Sequence, residues 1–126
     1  MLEDDADDRS ITKNAVASLG FRVDIRFFSN SDYFVEFLHT APKASLILID
    51  YNSKPDNGFE VLKKIKADAK HNSTPVVILS DSTVAKYRDE CYAHGASSFI
   101  QKPSRVDKTD YTISTFFNYW FEVAEV

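Results

Sequence analysis

Two short apolar runs constrain the fold of this chain more than any other feature of its sequence. The first, Ser45-Leu-Ile-Leu-Ile-Asp50, is apolar at every position between its polar ends, and the second, Pro75-Val-Val-Ile-Leu79, is apolar throughout. Neither run alternates apolar and polar residues, as a strand with one solvent-exposed face would. Short runs that are apolar on both faces are typical of central strands in a parallel sheet covered by helices. The sequence therefore predicts an α/β protein.

Helix and strand signals alternate along the rest of the chain. Residues 7–19 place apolar side chains on one helical face and stop at Gly20, while residues 21–27 alternate like an edge strand. Further helices are predicted from a cap at Asn30 or Ser31 as far as Ala41, and over residues 59–69, 83–93 and 107–123, with a short strand at 98–101. With Met1-Leu2 ending a first strand, five strand–helix units fill residues 1–126, which are predicted to form one domain.

Composition argues against several classes of protein. With 15 basic and 19 acidic residues the net charge is -4, which gives no support to a nucleic-acid-binding surface. No apolar run approaches the roughly 18 residues of a membrane span, and the acidic start does not resemble a basic signal peptide. The single Cys91 cannot form an intramolecular disulfide. These features predict a cytoplasmic protein that binds neither nucleic acid nor membranes.

The predicted strands end on residues that carry a charge or a hydroxyl, namely Glu3 and Asp4, Asp50, Ser80 and Lys102. Parallel strands bring their carboxyl ends to one edge of the sheet, where α/β folds bind ligands. Two carboxylates 4 Å apart repel by about 4 kcal/mol at an effective dielectric near 20, so clustered acids need a cation or raised pKa values. Oxygen ligands without His or Cys suit Mg²⁺, and an aspartate can itself accept a phosphoryl group.

Each of these residues also has a simpler interpretation. The acidic run that includes Asp5, Asp7 and Asp8 could only stabilise the positive end of a helix dipole, and this is the favoured interpretation of those three. Asp50 could be a turn residue or helix cap, and the remaining polar groups could lie in solvated turns. The combined spacing of the strand-end residues nevertheless indicates a functional site.

Four motifs stand at the ends of the predicted strands and in the turns beside them: Leu2-Glu-Asp-Asp5, Leu46-Ile-Leu-Ile-Asp50 with Gly58 eight residues later, Pro75-Val-Val-Ile-Leu-Ser80, and Gly95-Ala-Ser-Ser-Phe-Ile-Gln-Lys-Pro103. Together they resemble the receiver domains of two-component response regulators. The resemblance covers essentially the whole chain, and it is greatest to stand-alone receivers whose last helix carries an aromatic stretch, here Tyr119-Trp-Phe121. It implies a flavodoxin-like (βα)5 fold with a parallel five-stranded sheet in the order 2-1-3-4-5.

The resemblance implies a phosphoacceptor and a metal site. Asp50 would receive a phosphoryl group from the phosphohistidine of a sensor histidine kinase or phosphotransfer protein. Asp4 and Asp50 would bind Mg²⁺ directly, together with the backbone carbonyl of Asn52. Glu3 would act on the ion mostly through water.

The resemblance also implies how a signal would leave the site. The hydroxyl of Ser80 would swing to the phosphoryl group, Lys102 would pair with that group, and the rotamer of Phe99 would follow Ser80. The output would be contact with a downstream protein that the sequence does not identify, or a homodimer formed through the last two helices. Such a domain assists its own phosphorylation and dephosphorylation but is not a conventional enzyme.

Three features depart from the family pattern. Only Met1-Leu2 precedes the acidic pair, so the first strand is predicted to be truncated. Ser53-Lys-Pro55 replaces the usual Met-Pro after the phosphoacceptor. Asp81 replaces a small residue, and its carboxylate could either face the pocket and repel an anion or cap the helix predicted from Thr83.

Two other functions use the same nucleophile or the same fold. A small phosphatase of the haloacid-dehalogenase type would also use Asp50, but it needs a second aspartate two residues later as general acid, where this chain has Asn52. A flavin-binding electron carrier needs a Ser/Thr/Gly phosphate loop after the first strand, where Glu3-Asp-Asp5 would repel phosphate. A signalling domain is the preferred interpretation, with the phosphatase as the alternative.

Overall fold

The computed structural model describes residues 1–20, 22–81, 84–102 and 114–123. Its helices are α1 (Ala6–Ser18), α2 (Ser31–Thr40), α3 (Gly58–Ala67) and α4 (Ala85–Ala93), and its strands are β1 (Ile47–Asp50), β2 (Val76–Ser80) and β3 (Ser98–Gln101). Residues 114–118 are α-helical and continue into a π-helical turn, Tyr119–Val123. Within these ranges, no helix is long and apolar enough to cross a membrane. The predicted α/β alternation is confirmed.

The three strands form one parallel sheet in the order β1-β2-β3. Asp50 at the end of β1 lies opposite Leu79, and Ser80 at the end of β2 lies opposite Gln101 of β3. Because the strands run in one direction and end at nearly the same level, their last side chains reach one edge of the sheet.

Residues 1–3 continue the hydrogen bonding beyond β1. The N–H of Leu2 donates to the carbonyl of Leu48 at 2.8 Å, and the N–H of Asp50 donates to the carbonyl of Leu2 at 2.9 Å. On the other side, the N–H of Glu3 donates to the carbonyl of Phe28 at 2.8 Å. Leu2 therefore lies between Phe28 and β1, although it forms only isolated parallel bridges rather than a regular strand.

The edge strand predicted over residues 21–27 is wrong for the described part of that range. Residues 22–27 form no regular strand, and parallel pairing in this region is confined to Phe28. A strand needs a partner ladder, and the neighbouring segment offers only the short stretch around Leu2. Val23 and Ile25 nevertheless pack against the core, so the alternation reflects side-chain burial without backbone pairing.

The sheet is covered by apolar side chains on both faces. Ile49 of β1 packs in a cluster with Leu62 of α3, while its neighbour Leu48 packs in a second cluster with Phe117. Successive residues of a strand point to opposite faces, so both clusters draw on every strand. This explains why β1 and β2 are buried at every position, as the two apolar runs predict.

Short polar side chains begin three of the helices. Oδ1 of Asp5 accepts the N–H of Asp8 at 3.0 Å, and Oδ1 of Asn57 accepts the N–H of Glu60 at 2.9 Å. Oδ1 of Asn30 accepts two N–H groups of α2, so the cap of that helix is Asn30 and not Ser31. Each cap satisfies backbone donors that have no partner within the helix.

The start of α4 tests the interpretation of Asp81 as a helix cap. The helix begins at Ala85 with Val84 at the cap position, a residue whose side chain has no oxygen. Asp81 lies earlier in the chain and is exposed, so its interpretation as the helix cap is wrong. Thr83, and residues 107–113 of the predicted last helix, lie outside the described residues.

Gly58 lies at the start of α3, against the turn that follows Asp50. A Cβ atom at this position would lie 2.7 Å from Cα of Tyr51 and 3.1 Å from the carbonyl oxygen of Asp50. We expect Gly58→Ala to lower the free energy of unfolding by about 1–3 kcal/mol, because these backbone atoms cannot move aside as a flexible side chain can. In unobstructed helix, alanine would instead be favoured by about 0.5–1 kcal/mol.

Urea unfolding at equilibrium measures this difference. Ser10→Ala on the exposed face of α1 is the control, with an expected change within about 0.5 kcal/mol. A Gly58→Ala protein as stable as the wild type would contradict the close approach of the two backbones.

Candidate functional site

The carboxyl edge of the sheet gathers the three predicted acids. Asp50 ends β1 and is buried, and Glu3 is buried beside it because Leu2 pairs with β1. One carboxylate oxygen from each of Glu3, Asp4 and Asp50 lies within 4.8 Å of the others, with Asp4 exposed to solvent. The pairing of residue 2 with β1 therefore brings together acids that are far apart in the sequence.

Lys102 joins these acids from the far side of the sheet. Its backbone N–H donates to the carbonyl of Ser80 at 2.8 Å, which fixes the start of its side chain. Its ammonium lies 2.6 Å from Oε1 of Glu3 and 3.6 Å from Oδ2 of Asp50. Burial alone would lower the pKa of Lys102, but the hydrogen bond with Glu3 and the charge of Asp50 outweigh burial and hold that pKa above its usual range. The ammonium is therefore charged.

Glu3 has the environment of a carboxyl group that needs a cation. Burial raises the pKa of Glu3 to about 8, and Asp50 reinforces the shift while Lys102 opposes it. Its Oε2 atom is buried and has no hydrogen-bond partner among the described residues. A buried polar atom without a partner is costly, and a bound cation would satisfy it. The oxygen donors of Glu3, Asp4 and Asp50 fit a hard divalent ion such as Mg²⁺.

Asp8 is a member of this site that the sequence assigned only to a helix dipole. Its Oδ2 lies 3.0 Å from the ammonium of Lys102, so that assignment is incomplete. Asp5, in contrast, caps α1 as an acid at a helix start is expected to do. Only the topology of the fold could have indicated this contact of Asp8, because the first turn of α1 follows the acidic pair and lies at the same sheet edge as Lys102.

The turn after β1 orients the carboxylate of Asp50. The N–H of Asn52 donates to Oδ1 of Asp50 at 3.1 Å, and the N–H of Ser53 donates to its backbone carbonyl at 3.2 Å. Asn52 itself is exposed beside the acids. One carboxylate oxygen is thus held by the turn, while the other faces Lys102.

Ser80 and Phe99 lie on neighbouring strands at the same edge. Ser80 is fully buried at the end of β2. Phe99 lies two residues before Gln101, the register partner of Ser80, so the side chains of Phe99 and Ser80 point to the same face of the sheet. The structure therefore places the two proposed switch residues on the same face of the sheet, two register positions apart on neighbouring strands.

Tyrosines not singled out from the sequence surround Phe99. The ring of Tyr51, directly after Asp50, meets Phe99 edge-on with 6.3 Å between ring centroids and stacks on Tyr87 of α4 at 5.0 Å. The hydroxyl of Tyr92 accepts the backbone N–H of Phe99 at 3.0 Å. These contacts depend on how α4 packs on the sheet, which no local pattern encodes. They connect the residue beside Asp50 to both α4 and β3.

Comparison with known proteins identifies the class to which this fold and site belong. A model of the family described as the response regulator receiver domain matches residues 1–113. The chain belongs to this family, whose members are signalling domains of two-component systems. It is 33% identical over 104 residues to the two-component response regulator ORR11 of Oryza sativa subsp. indica, a match that covers 82% of this chain and 69% of ORR11.

Solved structures establish the fold. The phosphorylated cyanobacterial phytochrome response regulator RcpA superposes with a TM-score of 0.93 at 23% identity, over 98% of this chain and 93% of RcpA. The Mn²⁺-bound form of the response regulator Rcp1 superposes with a TM-score of 0.91 at 20% identity, over 99% of this chain and 94% of Rcp1. The chain therefore has the flavodoxin-like receiver fold with a parallel sheet.

The raised pKa of Glu3 predicts how the stability of the metal-free protein depends on pH. The ordinary pKa of a glutamate is 4.5, whereas burial in this fold raises it to about 8. Between these values the folded state binds more protons than the unfolded chain, so the contribution of Glu3 is full below pH 4.5 and is lost as the pH rises through about 8. We expect the wild type to lose at least about 1 kcal/mol more than Glu3→Gln between about pH 5 and pH 8.5.

Urea unfolding in the absence of divalent ions, repeated across this pH range, measures the difference. Asp7→Asn removes an exposed acid from the first turn of α1, close to Glu3 in the sequence, and should leave the pH profile of the wild type intact. Parallel profiles for the wild type and Glu3→Gln would show that the pKa of Glu3 is not raised.

Proposed function

We propose that this receiver domain accepts a phosphoryl group on Asp50 from the phosphohistidine of a sensor histidine kinase or phosphotransfer protein, in a Mg²⁺-dependent reaction. The supporting observation is the surroundings of Asp50. Glu3 and Asp4 each place a carboxylate oxygen within 4.8 Å of it, and the ammonium of Lys102 lies 3.6 Å from its Oδ2. The receiver domain extends over residues 1–126 in this proposal.

The chemistry is a displacement at phosphorus. A carboxylate oxygen of Asp50 attacks and forms a P–O bond while the P–N bond to the donor histidine breaks. The electron pair of the P–N bond stays on the imidazole nitrogen, which takes up a proton. The N–H of Asn52 holds Oδ1 of Asp50, so the nucleophile is oriented before the donor arrives. Lys102 then pairs with the negative charge of the acquired phosphoryl group.

Glu3, Asp4 and Asp50 would hold the Mg²⁺ ion, together with the backbone carbonyl of Asn52. Asp4 and Asp50 ligate the ion directly in this proposal, and Glu3 acts mostly through water. Mg²⁺, when bound, would neutralise charge on the transferring phosphoryl group. The unpartnered Oε2 of Glu3 supports a cation at this position, as does the fold similarity to the Mn²⁺-bound form of Rcp1.

The sheet order of the family is also part of the proposal. We assign residues 1–3 and Phe28, which pair through isolated bridges, to the places that the family's first and second strands occupy beyond β1 in the order 2-1-3-4-5. The N–H of Phe28 donates to the carbonyl of Met1 at 2.9 Å, and the N–H of Glu3 returns a bond to Phe28 at 2.8 Å. This reciprocal pairing supports the assignment.

The output surface would be the face formed by α4, β3 and residues 114–123. Ser80 would move toward the phosphoryl group and Phe99 would follow it. A groove of about 630 Å³ on this face is lined by residues that include Ile100, Tyr119 and Trp120. Exposed aromatic rings are common anchors in protein interfaces. A downstream protein, or a second copy forming a homodimer through the last two helices, would bind here in the cytoplasm.

Phosphorylation of Asp50 is directly testable. With Mg²⁺ and a small phosphodonor, the wild type should gain one acid-stable, base-labile phosphoryl group, and Asp50→Asn should gain none, because the amide cannot replace the nucleophilic carboxylate. Intact-mass measurement before and after treatment with base gives the count. Asp32→Asn, an exposed acid at the start of α2, should be labelled like the wild type. Undiminished labelling of Asp50→Asn would move the phosphoacceptor elsewhere.

The output surface predicts where phosphorylation changes the dynamics of the chain. Amide hydrogen exchange with and without beryllofluoride, a phosphoryl mimic, should differ in residues 84–102 and 114–121, because Ser80 and Phe99 couple that face to the site. Residues 31–40 of α2 serve as the internal reference and should exchange at an unchanged rate. Unchanged protection over 84–102 and 114–121, in protein shown to bind the mimic, would count decisively against this surface.

A further inference from the structure

Three carboxylates surround the single ammonium of Lys102. Its Nζ lies 2.6 Å from Oε1 of Glu3, 3.0 Å from Oδ2 of Asp8 and 3.6 Å from Oδ2 of Asp50. An ammonium has three N–H donors. The contacts of Nζ with Glu3 and Asp8 are hydrogen bonds, whereas the distance to Asp50 is too long for one. In this state the ammonium is therefore committed to Glu3 and Asp8 rather than to the proposed phosphoacceptor.

The start of α1 fixes Asp8 in this position. Oδ1 of Asp5 accepts the N–H of Asp8 at 3.0 Å, and the carbonyl of Asp5 accepts the N–H of Arg9 at 3.0 Å. The backbone of Asp8 is thus held by the cap of its own helix. Its side chain is 35% exposed and that of Lys102 is 15% exposed, so the pair is only partly screened by water. The position of Asp8 beside Lys102 is consequently fixed by the helix start.

We propose that Asp8 is a positioning residue, which competes with the phosphoryl group on Asp50 for the ammonium of Lys102. This role rests on the phosphorylation of Asp50 proposed above. The hydrogen bonds to Glu3 and Asp8 hold the ammonium 3.6 Å from Oδ2 of Asp50, so a phosphoryl group that draws the ammonium towards itself has to lengthen or break these bonds. Glu3 is also a proposed partner of Mg²⁺, and a cation beside its carboxylate would weaken its attraction for the ammonium. Asp8 is not among the proposed partners of the ion, so it would keep its full attraction for Lys102. Asp8 thereby favours the unphosphorylated state of the domain.

Binding of beryllofluoride in the presence of Mg²⁺ measures this competition without turnover. Asp8→Asn keeps the size of the side chain and removes its charge, so the mimic should bind about three- to tenfold more tightly than to the wild type. Asp8→Glu restores the carboxylate and should return the affinity to within about twofold of the wild type. Asp7→Asn is the matched control, because it removes one exposed acid from the same helical turn. Isothermal titration calorimetry gives each affinity.

A double-mutant cycle separates competition for Lys102 from simple charge repulsion. In a Lys102→Gln background, Asp8→Asn should improve binding of the mimic no more than Asp7→Asn does. A full gain that persists without Lys102 would overturn the role of Asp8, and so would an Asp8→Asn protein that binds the mimic equally well or more weakly. A wild type that binds no mimic, or an Asp50→Asn protein that still binds it, would overturn the phosphorylation proposal itself and this inference with it.

Discussion

One ammonium group offsets the charge of acids that the fold removes from water. Glu3 and Asp50 are both buried at the carboxyl edge, where an unpaired carboxylate costs roughly several kcal/mol. Lys102 lies within 4.0 Å of both, and its own burial makes that pairing strong rather than solvent-screened. Because Lys102 follows β3 and Glu3 lies beyond β1, the contact spans the sheet from side to side. The geometry of the sheet and the electrostatics of the site therefore depend on each other.

The apolar core explains why chemistry is confined to the strand ends. β1 and β2 are covered on both faces, so a polar side chain within either strand would lack both water and a partner. The polar residues of these two strands, Asp50 and Ser80, are the last residue of each strand and are themselves buried. Parallel order then brings the two to one edge together with Lys102. In a sheet whose strands alternate apolar and polar residues, polar groups could lie along a whole face and would not be concentrated at one edge.

Sequence patterns predict the features that depend on local chemistry and miss those that depend on packing. The two apolar runs locate β1 and β2. Gly20 has a φ of +75°, a conformation that glycine adopts easily, and it follows the end of α1 as the sequence predicts. The strand over 21–27 fails because regular pairing requires a ladder of partners, and parallel pairing in the described part of this region is confined to the bridge between Phe28 and Leu2. Tyr51 and Tyr87 escape prediction because their stacking depends on the position of α4 over the sheet.

The acidic run after Leu2 shows how residues of one type acquire different roles. Asp5 and Asp8 both stand at the start of α1, and the helix dipole favours an acid at either position. The carboxylate of Asp5 accepts a backbone N–H of the helix, whereas the carboxylate of Asp8 accepts a hydrogen bond from Lys102. The difference arises because one side chain points along the helix start and the other toward the sheet edge. A phosphoryl group on Asp50 would add negative charge beside an ammonium that is already shared, so the proposed response of the domain would begin with a redistribution of that one cation.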